Sequence, residues 1–471
     1  MRSSHMRLGT PIIVAMFVAA ACGSAATPTP VVTSAPAATP TSTPVTSAPS
    51  PILTAGPPPS PSPTVSPTPG ELDAPFGRGG LVVTDLSGRG SKDHVSAIAI
   101  QADGAIVLAG GSDWRNDDGE FEFVLARFDA DGNLDQGFRP TRAAVFGRSE
   151  EVSLGIQADG KFVVAGSRLV RYNADGSLDT NFGNDGSTVD TNFGRGKMYD
   201  ASHGALAIQR DGKIVLVGSS FPKGPEGGDS ADFALERYTS AGSLDPSFGN
   251  RGTVLTNFHG ESGDVASDLA ILSDGTIVVA GSSSANGSYD FALARYRPNG
   301  SLDPSFGDGG TVVTDVGGQE YGRALAIQGD GKIVLAGDSC NSGCHASLAR
   351  YNPDGSLDSS FGSSGLVVSA IDDMLGARTL AIQGDGKIVL AGTSHSGATF
   401  DFALARYNDD GTLDPSFGNG GIVVTDLGGS EGSDDLARAL AIQGDGKIVL
   451  AGDSGASSGS SYDLVLARYD P

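Results

Sequence analysis

Short apolar runs and polar turns alternate in a fixed order along most of the chain. The fullest form of the pattern is A-L-A-I-Q-G-D-G-K-I-V-L-A-G, a variable loop, D-F-A-L-A-R-Y, D-G-x-L-D-P-S-F-G and a valine-rich run. The runs are rich in Val, Ile, Leu and Ala and are bounded by Gly and Asp, which is typical of antiparallel strands. The two-residue Asp-Gly link between the first two runs indicates a hairpin. In the fifth unit the pattern predicts strands over 324–328, 332–337, 347–351 and 366–369.

The pattern recurs, and its recurrence predicts the architecture. Four antiparallel strands per unit, seven units and no helical periodicity predict an all-β, seven-bladed β-propeller. A parallel β-solenoid is the alternative, although its rungs are usually nearer half this length. The Asp-Gly turns after the first strand of each unit fall at Asp103, Asp159, Asp211, Asp274, Asp330, Asp385 and Asp445.

The phase of the repeat predicts how the ring closes. The first strand-like run, residues 81–85, matches the fourth strand of a unit, whereas the last run, 464–469, matches the third. Pairing the two completes a blade and removes two exposed strand edges. We therefore predict that 81–85 is the outer strand of the blade built from 439–469.

Two segments precede the repeats. Residues 1–22 combine a positive start with an apolar run that is too short to span a bilayer. They end in V-A-A-A-C, which resembles a bacterial lipobox and implies a lipid on Cys22; an ordinary signal peptide is the alternative. Residues 23–69 are uncharged and mostly Pro, Thr, Ser and Ala, which predicts a disordered, extended stalk. The expected product is an exported, membrane-anchored lipoprotein on the bacterial cell envelope, with the propeller over 70–471.

The repeat also resembles a known family. The segments G-x-L-D-P-S-F-G-x-x-G, A-I-Q-x-D-G-K-I-V-L-A-G and F-A-L-A-R-Y are similar to the bacterial delta-60 repeat, a propeller-type repeat of unassigned function. The match covers nearly all of 70–471, and the second unit departs most because it lacks a long loop after Ala165. The resemblance implies an extracytoplasmic propeller and carries over no catalytic residue.

The net charge of −24 limits the partners. It argues against nucleic acid, whose phosphates need a basic surface, and against electrostatic binding to anionic lipid. We expect an extracellular protein or a glycan as partner, membrane contact through the lipid anchor only, and a monomeric chain.

Comparing the units separates a uniform face from a variable one. The turn between the first and second strands and the connection between the third and fourth barely change. The loops between second and third strands, and from each unit to the next, vary in length and content and emerge on the opposite face, where binding loops need variety. This variable, acidic face is the predicted ligand-binding site, with the candidates Asp93, His94, Asp113, Trp114, Asp117, Asp118, Tyr199, Asp200, His203, Glu261, Asp264, Asp372, Asp373, Asp434 and Asp435.

The D-x-D-G-x-L-D segments need a test for calcium. Asp129, Asp131, Asn133 and Asp135 place oxygen ligands on alternate residues, as a calcium loop does at its start. No glutamate follows at the closing position, and the same residues suit a tight turn. The turn is the favoured interpretation, so no metal or cofactor is predicted, with calcium as the alternative.

An arginine precedes an aromatic residue in every unit, and because this feature is constant we expect each guanidinium to pair with a repeat carboxylate such as Asp303. Cys340 and Cys344 are predicted to form a disulfide in an exported protein, with a zinc site that includes His345 as the alternative. The seven arginines are Arg127, Arg171, Arg237, Arg295, Arg350, Arg406 and Arg468.

Enzymatic signatures are weak. The six histidines show no metal-binding spacing, and neither a nucleophile elbow nor a phosphate-binding loop is present. No catalytic residue is predicted. The favoured function is a binding module; the alternatives are an extracellular carbohydrate-active hydrolase or lyase that uses loop carboxylates, and a calcium-stiffened adhesive module.

Overall fold

A computed structural model shows an all-β chain. It describes residues 68–471 except 86–92, 113–121, 139–151, 167, 184–188, 192–202, 221–230, 261, 286, 342, 370–373, 397–398, 428–432 and 457–461. No helix occurs in the described part of the chain, and accordingly none there could cross a membrane. The cleavage and lipidation predicted at Cys22, and the predicted stalk up to residue 67, fall outside the described residues. The last two residues of that stretch are described, and the Pro69 carbonyl accepts from the Gly418 amide at 2.9 Å.

The described strands form seven antiparallel sheets. Six have four strands, and the first blade has three among the described residues, which leave out 139–151. The blades are β2 (Asp93–Ile100), β3 (Ile106–Ser112) and β4 (Glu122–Phe128); β5 (Ser153–Ile156), β6 (Phe162–Ala165), β7 (Arg168–Tyr172) and β8 (Val189–Asp190); β9 (His203–Ile208), β10 (Ile214–Ser220), β11 (Asp232–Tyr238) and β12 (Thr253–Thr256); β13 (Asp264–Ile271), β14 (Ile277–Ser283), β15 (Asp290–Tyr296) and β16 (Thr311–Thr314); β17 (Gln319–Ile327), β18 (Ile333–Cys340), β19 (Cys344–Tyr351) and β20 (Leu366–Val368); β21 (Met374–Ile382), β22 (Ile388–Ser396), β23 (Thr399–Tyr407) and β24 (Ile422–Thr425); and β25 (Ser433–Ile442), β26 (Ile448–Ala456), β27 (Tyr462–Tyr469) and β1 (Leu81–Thr84).

The sheets are arranged as a ring. The inner strand of each blade packs beside the inner strand of the next, and β25 of the seventh blade packs beside β2 of the first. Seven separate hydrophobic clusters fill the seven junctions. In the fifth blade, Leu335 packs with Leu293 of the fourth, whereas its neighbour Val334 packs with Leu390 of the sixth. Because both faces of a strand are buried, a continuous apolar run is required. The predicted seven-bladed propeller is confirmed.

The ring closes where the repeat phase predicts. Strand β1 pairs antiparallel with β27, with Leu81 opposite Ala467 and Thr84 opposite Leu464, which confirms the expected closure. The segment before β1 supplies the turn that the last blade would otherwise lack. The backbone amide of Asp73 donates to the carbonyl of Arg468 at 2.8 Å. The N-terminal part of the domain thus completes a turn as well as a strand.

The repeated arginines are structural, as predicted. Arg295 donates from Nε to Asp303 at 2.9 Å, and its guanidinium lies 4.6 Å from the ring centre of Phe306. Its Nη1 donates to the carbonyl of Pro353 in the next blade, so this arginine joins two blades. The corresponding ion pairs are Arg127–Asp135, Arg171–Asp179, Arg237–Asp245, Arg350–Asp358, Arg406–Asp414 and Arg468–Asp73.

Candidate functional site

The structure describes the candidate residues on the variable face to different extents. His203 begins β9, but its side chain is not described. Five residues are described, at the starts of inner strands: Asp93, His94, Asp264, Asp434 and Asp435. The others lie outside the described residues: Asp113, Trp114, Asp117, Asp118, Tyr199, Asp200, Glu261, Asp372 and Asp373.

Three of the five are buried in strands, whereas the pattern places them on exposed loops. Asp93 is 2% exposed, and Asp264 and Asp435 are 0% exposed. Asp264 accepts hydrogen bonds from the Ser283 hydroxyl at 2.6 Å and from the Phe258 amide at 2.9 Å. The reason is that the inner strands begin several residues before the alternating apolar run and carry a register shift, which turns these carboxylates inward. They anchor the connecting loops to the blades.

Among the described residues, two groups of three carboxylates lie on this face, each at a junction between blades. The first junction cluster is Asp290, Asp315 and Glu320, and one oxygen from each lies within 4.8 Å of the others. The members come from the start of β15, the residue after β16 and the inner strand β17 of the next blade. The second junction cluster meets the same distance limit and comprises Asp401 of β23, Asp426 after β24 and Asp435 of β25 in the next blade.

In each junction cluster the pKa of the buried carboxyl from the inner strand is raised. Burial raises the pKa of Glu320, and the carboxylates of Asp290 and Asp315 raise it further, against the Ser339 hydroxyl and the Val316 amide. Burial likewise raises the pKa of Asp435 in the second cluster. Apart from Asp435, the cluster residues were not among the sequence candidates. The sequence did contain a signal, because an aspartate before F-A-L-A-R-Y and another after V-V-T recur together. Both belong to segments that the comparison of units assigns to the uniform scaffold.

Aromatic side chains flank the first junction cluster. The rings of Tyr289 and Tyr321, each the neighbour in sequence of a cluster carboxylate, have centroids 5.8 Å apart. Both are partly exposed. The equivalent positions between the seventh and first blades hold Tyr462 and His94, with centroids 5.6 Å apart. Such rings offer flat apolar surface beside carboxylates, which suits a sugar ring or a peptide side chain.

His94 is held by a buried carboxylate. Its Nδ1 lies 3.2 Å from Oδ2 of Asp453, whose other oxygen accepts from the Val95 amide at 2.7 Å. Burial raises the pKa of Asp453, but Arg438 and His94 outweigh burial and hold that pKa below its usual value. A small depression is lined by Asp93, His94 and Leu464 among others. The imidazole of His94 in the first blade is therefore oriented by Asp453 of the seventh blade.

In the turn with calcium-like spacing, the carboxylates of Asp129 and Asp135 accept hydrogen bonds from nearby residues of the chain. Asp129 accepts through Oδ1 from the amides of Asp131 at 3.0 Å and Asn133 at 2.8 Å. Asp135 accepts from Nε of Arg127 at 2.9 Å. These contacts make a compact hydrogen-bonded turn on the uniform face.

The cysteines Cys340 and Cys344 are joined by a disulfide. They end β18 and begin β19, so the bond closes the tight hairpin between these strands on the variable face.

Comparison with known families identifies the repeat. Seven segments match the family described as "Domain of unknown function (DUF5122) beta-propeller": 101–138, 157–182, 209–248, 272–306, 328–361, 383–417 and 443–471. The chain belongs to this family. The matched segments of this DUF5122 beta-propeller hold the uniform turns and the strands around them. The junction residues Asp315 and Glu320 lie between matched segments.

Solved structures similar to this DUF5122 beta-propeller share little sequence with it. A Dyadobacter fermentans protein of unknown function is 11% identical, with a TM-score of 0.43, over 83% of this chain and 100% of that one. A Xanthomonas campestris gluconolactonase is 12% identical, with a TM-score of 0.33, over 86% and 99% of the two chains. A Trypanosoma rangeli sialidase is 10% identical, with a TM-score of 0.37, over 83% of this chain and 59% of that one. No curated protein matches the chain. At such low similarity these structures do not bear on activity.

Proposed function

We propose that this DUF5122 beta-propeller is a surface-anchored, extracytoplasmic binding module that holds a protein or a glycan on its variable face. The observation that carries the proposal is the Tyr289–Tyr321 pair, which is partly exposed beside three carboxylates. Aromatic rings next to hydrogen-bond acceptors form a common recognition surface for sugars and for peptide side chains.

The opposite face is committed to the scaffold, which supports placing the partner on the variable one. Its turns carry the contacts that join blades, such as Arg237 to the Pro298 carbonyl and Gln157 to the Gly212 carbonyl at 3.0 Å. A ligand there would compete with bonds that hold the ring together. On the variable face, by contrast, the rings of Tyr289 and Tyr321 remain partly exposed to a partner.

Charge narrows the class of partner. The chain carries a net charge of −24, and the variable face adds exposed carboxylates such as Asp315 and Asp426. A neutral glycan or a protein with a basic patch is compatible with this field, whereas a polyanion is repelled. The apolar leader ending at Cys22 and the uncharged segment after it support presentation of this face outside the cell on a lipid-anchored stalk.

The test is a glycan and peptide array probed with the full-length chain. We expect Tyr321→Ala and Tyr289→Ala to weaken the strongest ligand by about thirtyfold, as expected for a central aromatic contact. Asp308→Asn is the control, because Asp308 is exposed on the uniform face and should leave binding unchanged. Binding that survives both tyrosine variants, or that is lost equally in the control, would assign the ligand to another surface.

A further inference from the structure

One carboxylate of the first junction cluster is buried without a full set of partners. Glu320 is 0% exposed, and its Oε1 accepts from the Ser339 hydroxyl at 2.9 Å. Its Oε2 is buried, and no described residue meets it with hydrogen-bond geometry, although the Val316 amide lies close enough to lower the pKa of Glu320. A buried carboxylate oxygen that lacks a donor is costly, so a ligand that satisfies it is expected.

Two further carboxylates lie close to that of Glu320. Asp290 is also 0% exposed, and its carboxylate and that of Asp315 each bring an oxygen within 4.8 Å of one from Glu320. Arg323, the basic residue of the same strand, is directed elsewhere, because its Nε donates to Asp338 at 2.5 Å. Asp290 accepts from the Ser288 hydroxyl at 3.2 Å, which is a neutral donor.

The junction between the third and fourth blades is a natural comparison. The residue equivalent to Asp315 is Asn257, whose amide donates to Asp232 at 2.7 Å. The residue equivalent to Glu320 is Asp264, and both of its oxygens accept hydrogen bonds. There the chain supplies its own donors with one carboxylate fewer. Where Asp315 replaces the asparagine, that donor is absent and a negative charge is added.

We propose that Asp290, Asp315 and Glu320 bind a calcium ion at the junction of the fourth and fifth blades. An all-oxygen, carboxylate-rich set selects a hard divalent cation. The three oxygens lie within 4.8 Å of one another, so that small side-chain adjustments bring all three onto one cation. Calcium accepts irregular oxygen coordination at about 2.3–2.6 Å, whereas magnesium requires about 2.1 Å and strict octahedral geometry, so the set favours calcium. The ion supplies positive charge to a group of three carboxylates that accept hydrogen bonds from the neutral Ser288 and Ser339 hydroxyls, and it ties β15, the loop after β16 and β17 together.

The second junction cluster is the weaker of the two. Both oxygens of Asp435 already accept hydrogen bonds, from the Ser454 hydroxyl at 2.5 Å and from the Leu427 amide at 3.0 Å. A bound ion would therefore relieve no unpaired oxygen of Asp435, and the first cluster is the site to test.

The experiment measures calcium binding to the chelator-treated full-length chain by isothermal titration calorimetry. We expect Asp315→Asn and Glu320→Gln each to lower the stoichiometry by about one ion per chain, at an affinity on the order of 10⁻⁴ M or weaker for such an exported module. Asp315→Asn reproduces the arrangement around Asn257, so it should fold. Asp308→Asn makes the same change of charge on the uniform face and should bind as the wild type does.

Thermal unfolding provides a second readout. Calcium should raise the melting temperature of the wild type more than that of Glu320→Gln. In the presence of a chelator, Glu320→Gln should have a higher melting temperature than the wild type, because the variant lacks a buried negative charge. The proposal is overturned if the wild type binds no calcium at millimolar concentration, if both variants keep the wild-type stoichiometry, or if magnesium binds equally well.

Discussion

Nη2 of Arg468 lies 2.5 Å from Oδ2 of Asp73, a residue 395 positions earlier in the chain. The same guanidinium lies 4.4 Å from the ring centre of Phe76 and donates to the carbonyl of Ala130 in the first blade. One side chain therefore joins the N-terminal segment, the last blade and the first. The closure of the ring depends on this contact as well as on the pairing of β1 with β27.

Asp73→Asn should destabilise the domain strongly. Both partners of the pair are buried, and Lys447 also lies 3.0 Å from the Asp73 carboxylate, so the variant leaves buried positive charge uncompensated. We expect a loss of about 3–5 kcal/mol in the free energy of unfolding, measured by urea denaturation. Asp135→Asn is the matched control, because the Arg127–Asp135 pair is more exposed and should contribute about 0–1 kcal/mol. Equal losses in the two variants would show that the Arg468–Asp73 pair contributes no more to stability than the exposed Arg127–Asp135 pair.

Acid should weaken the blade junctions through the arginine-paired aspartates. Burial raises the pKa of Asp245, but Ser247, Arg237 and Lys213 outweigh it and hold this pKa at about 2. Because the folded-state pKa lies below the unfolded one, the stabilisation is complete above the unfolded pKa and is lost as the pH falls toward about 2. Asp245→Asn should therefore flatten the fall in stability between about pH 4 and pH 2. Denaturation midpoints across this range test it, and a variant curve parallel to the wild type would refute it.

Asp268 should contribute with the opposite sign. It is buried in β13 and accepts from the amides of Leu325 at 2.7 Å and Leu269 at 2.6 Å, but burial raises its pKa well above the usual value. Its stabilisation is therefore present at low pH and is lost as the pH rises through the folded-state pKa. Asp268→Asn should be less stable than the wild type at about pH 3 and should gain on it as the pH rises. A difference in stability that does not change with pH would contradict this.

Glycines at the close approach between blades should be hard to replace. Gly355 has φ 89°, and a Cβ there would lie 2.9 Å from the Gly307 amide nitrogen of the preceding blade. Gly309 also has positive φ, but a Cβ there meets nothing within 4 Å. Gly309→Ala should cost about 1–2 kcal/mol through backbone strain alone, and Gly355→Ala clearly more, because the backbone must also move. Unfolding by urea compares the two, and similar losses would mean that the blades can separate without penalty.

The ring was predictable because the same pattern is repeated along the chain, so that errors at one unit do not affect the count. Its closure followed from the strand type at each end, 81–85 and 464–469. The turn formed by Asp73 and Phe76 was not predicted, since it becomes visible only when the segment E-L-D-A-P-F-G is aligned with L-D-P-S-F-G and assigned to the last blade.

The site was harder to predict for a physical reason. In the fifth blade the apolar run indicates a strand from Ala324, but β17 begins at Gln319, and the register shifts between Gly322 and Ala324. A bulge of this kind breaks the two-residue alternation, so the pattern cannot show that Glu320 is directed inward. The same shift occurs after Asp264 and Asp435. Loop-like sequence therefore conceals buried carboxylates.

The way the closing blade is built has a consequence for how such chains change length. Each interior unit folds as one blade, such as β17 to β20, whereas the closing blade takes three strands from the last unit and one, β1, from before the first. Inserting or deleting one whole interior unit therefore changes the number of blades but leaves β1 and β27 paired. A lineage of such proteins can therefore gain or lose blades without evolving a new way to seal the circle.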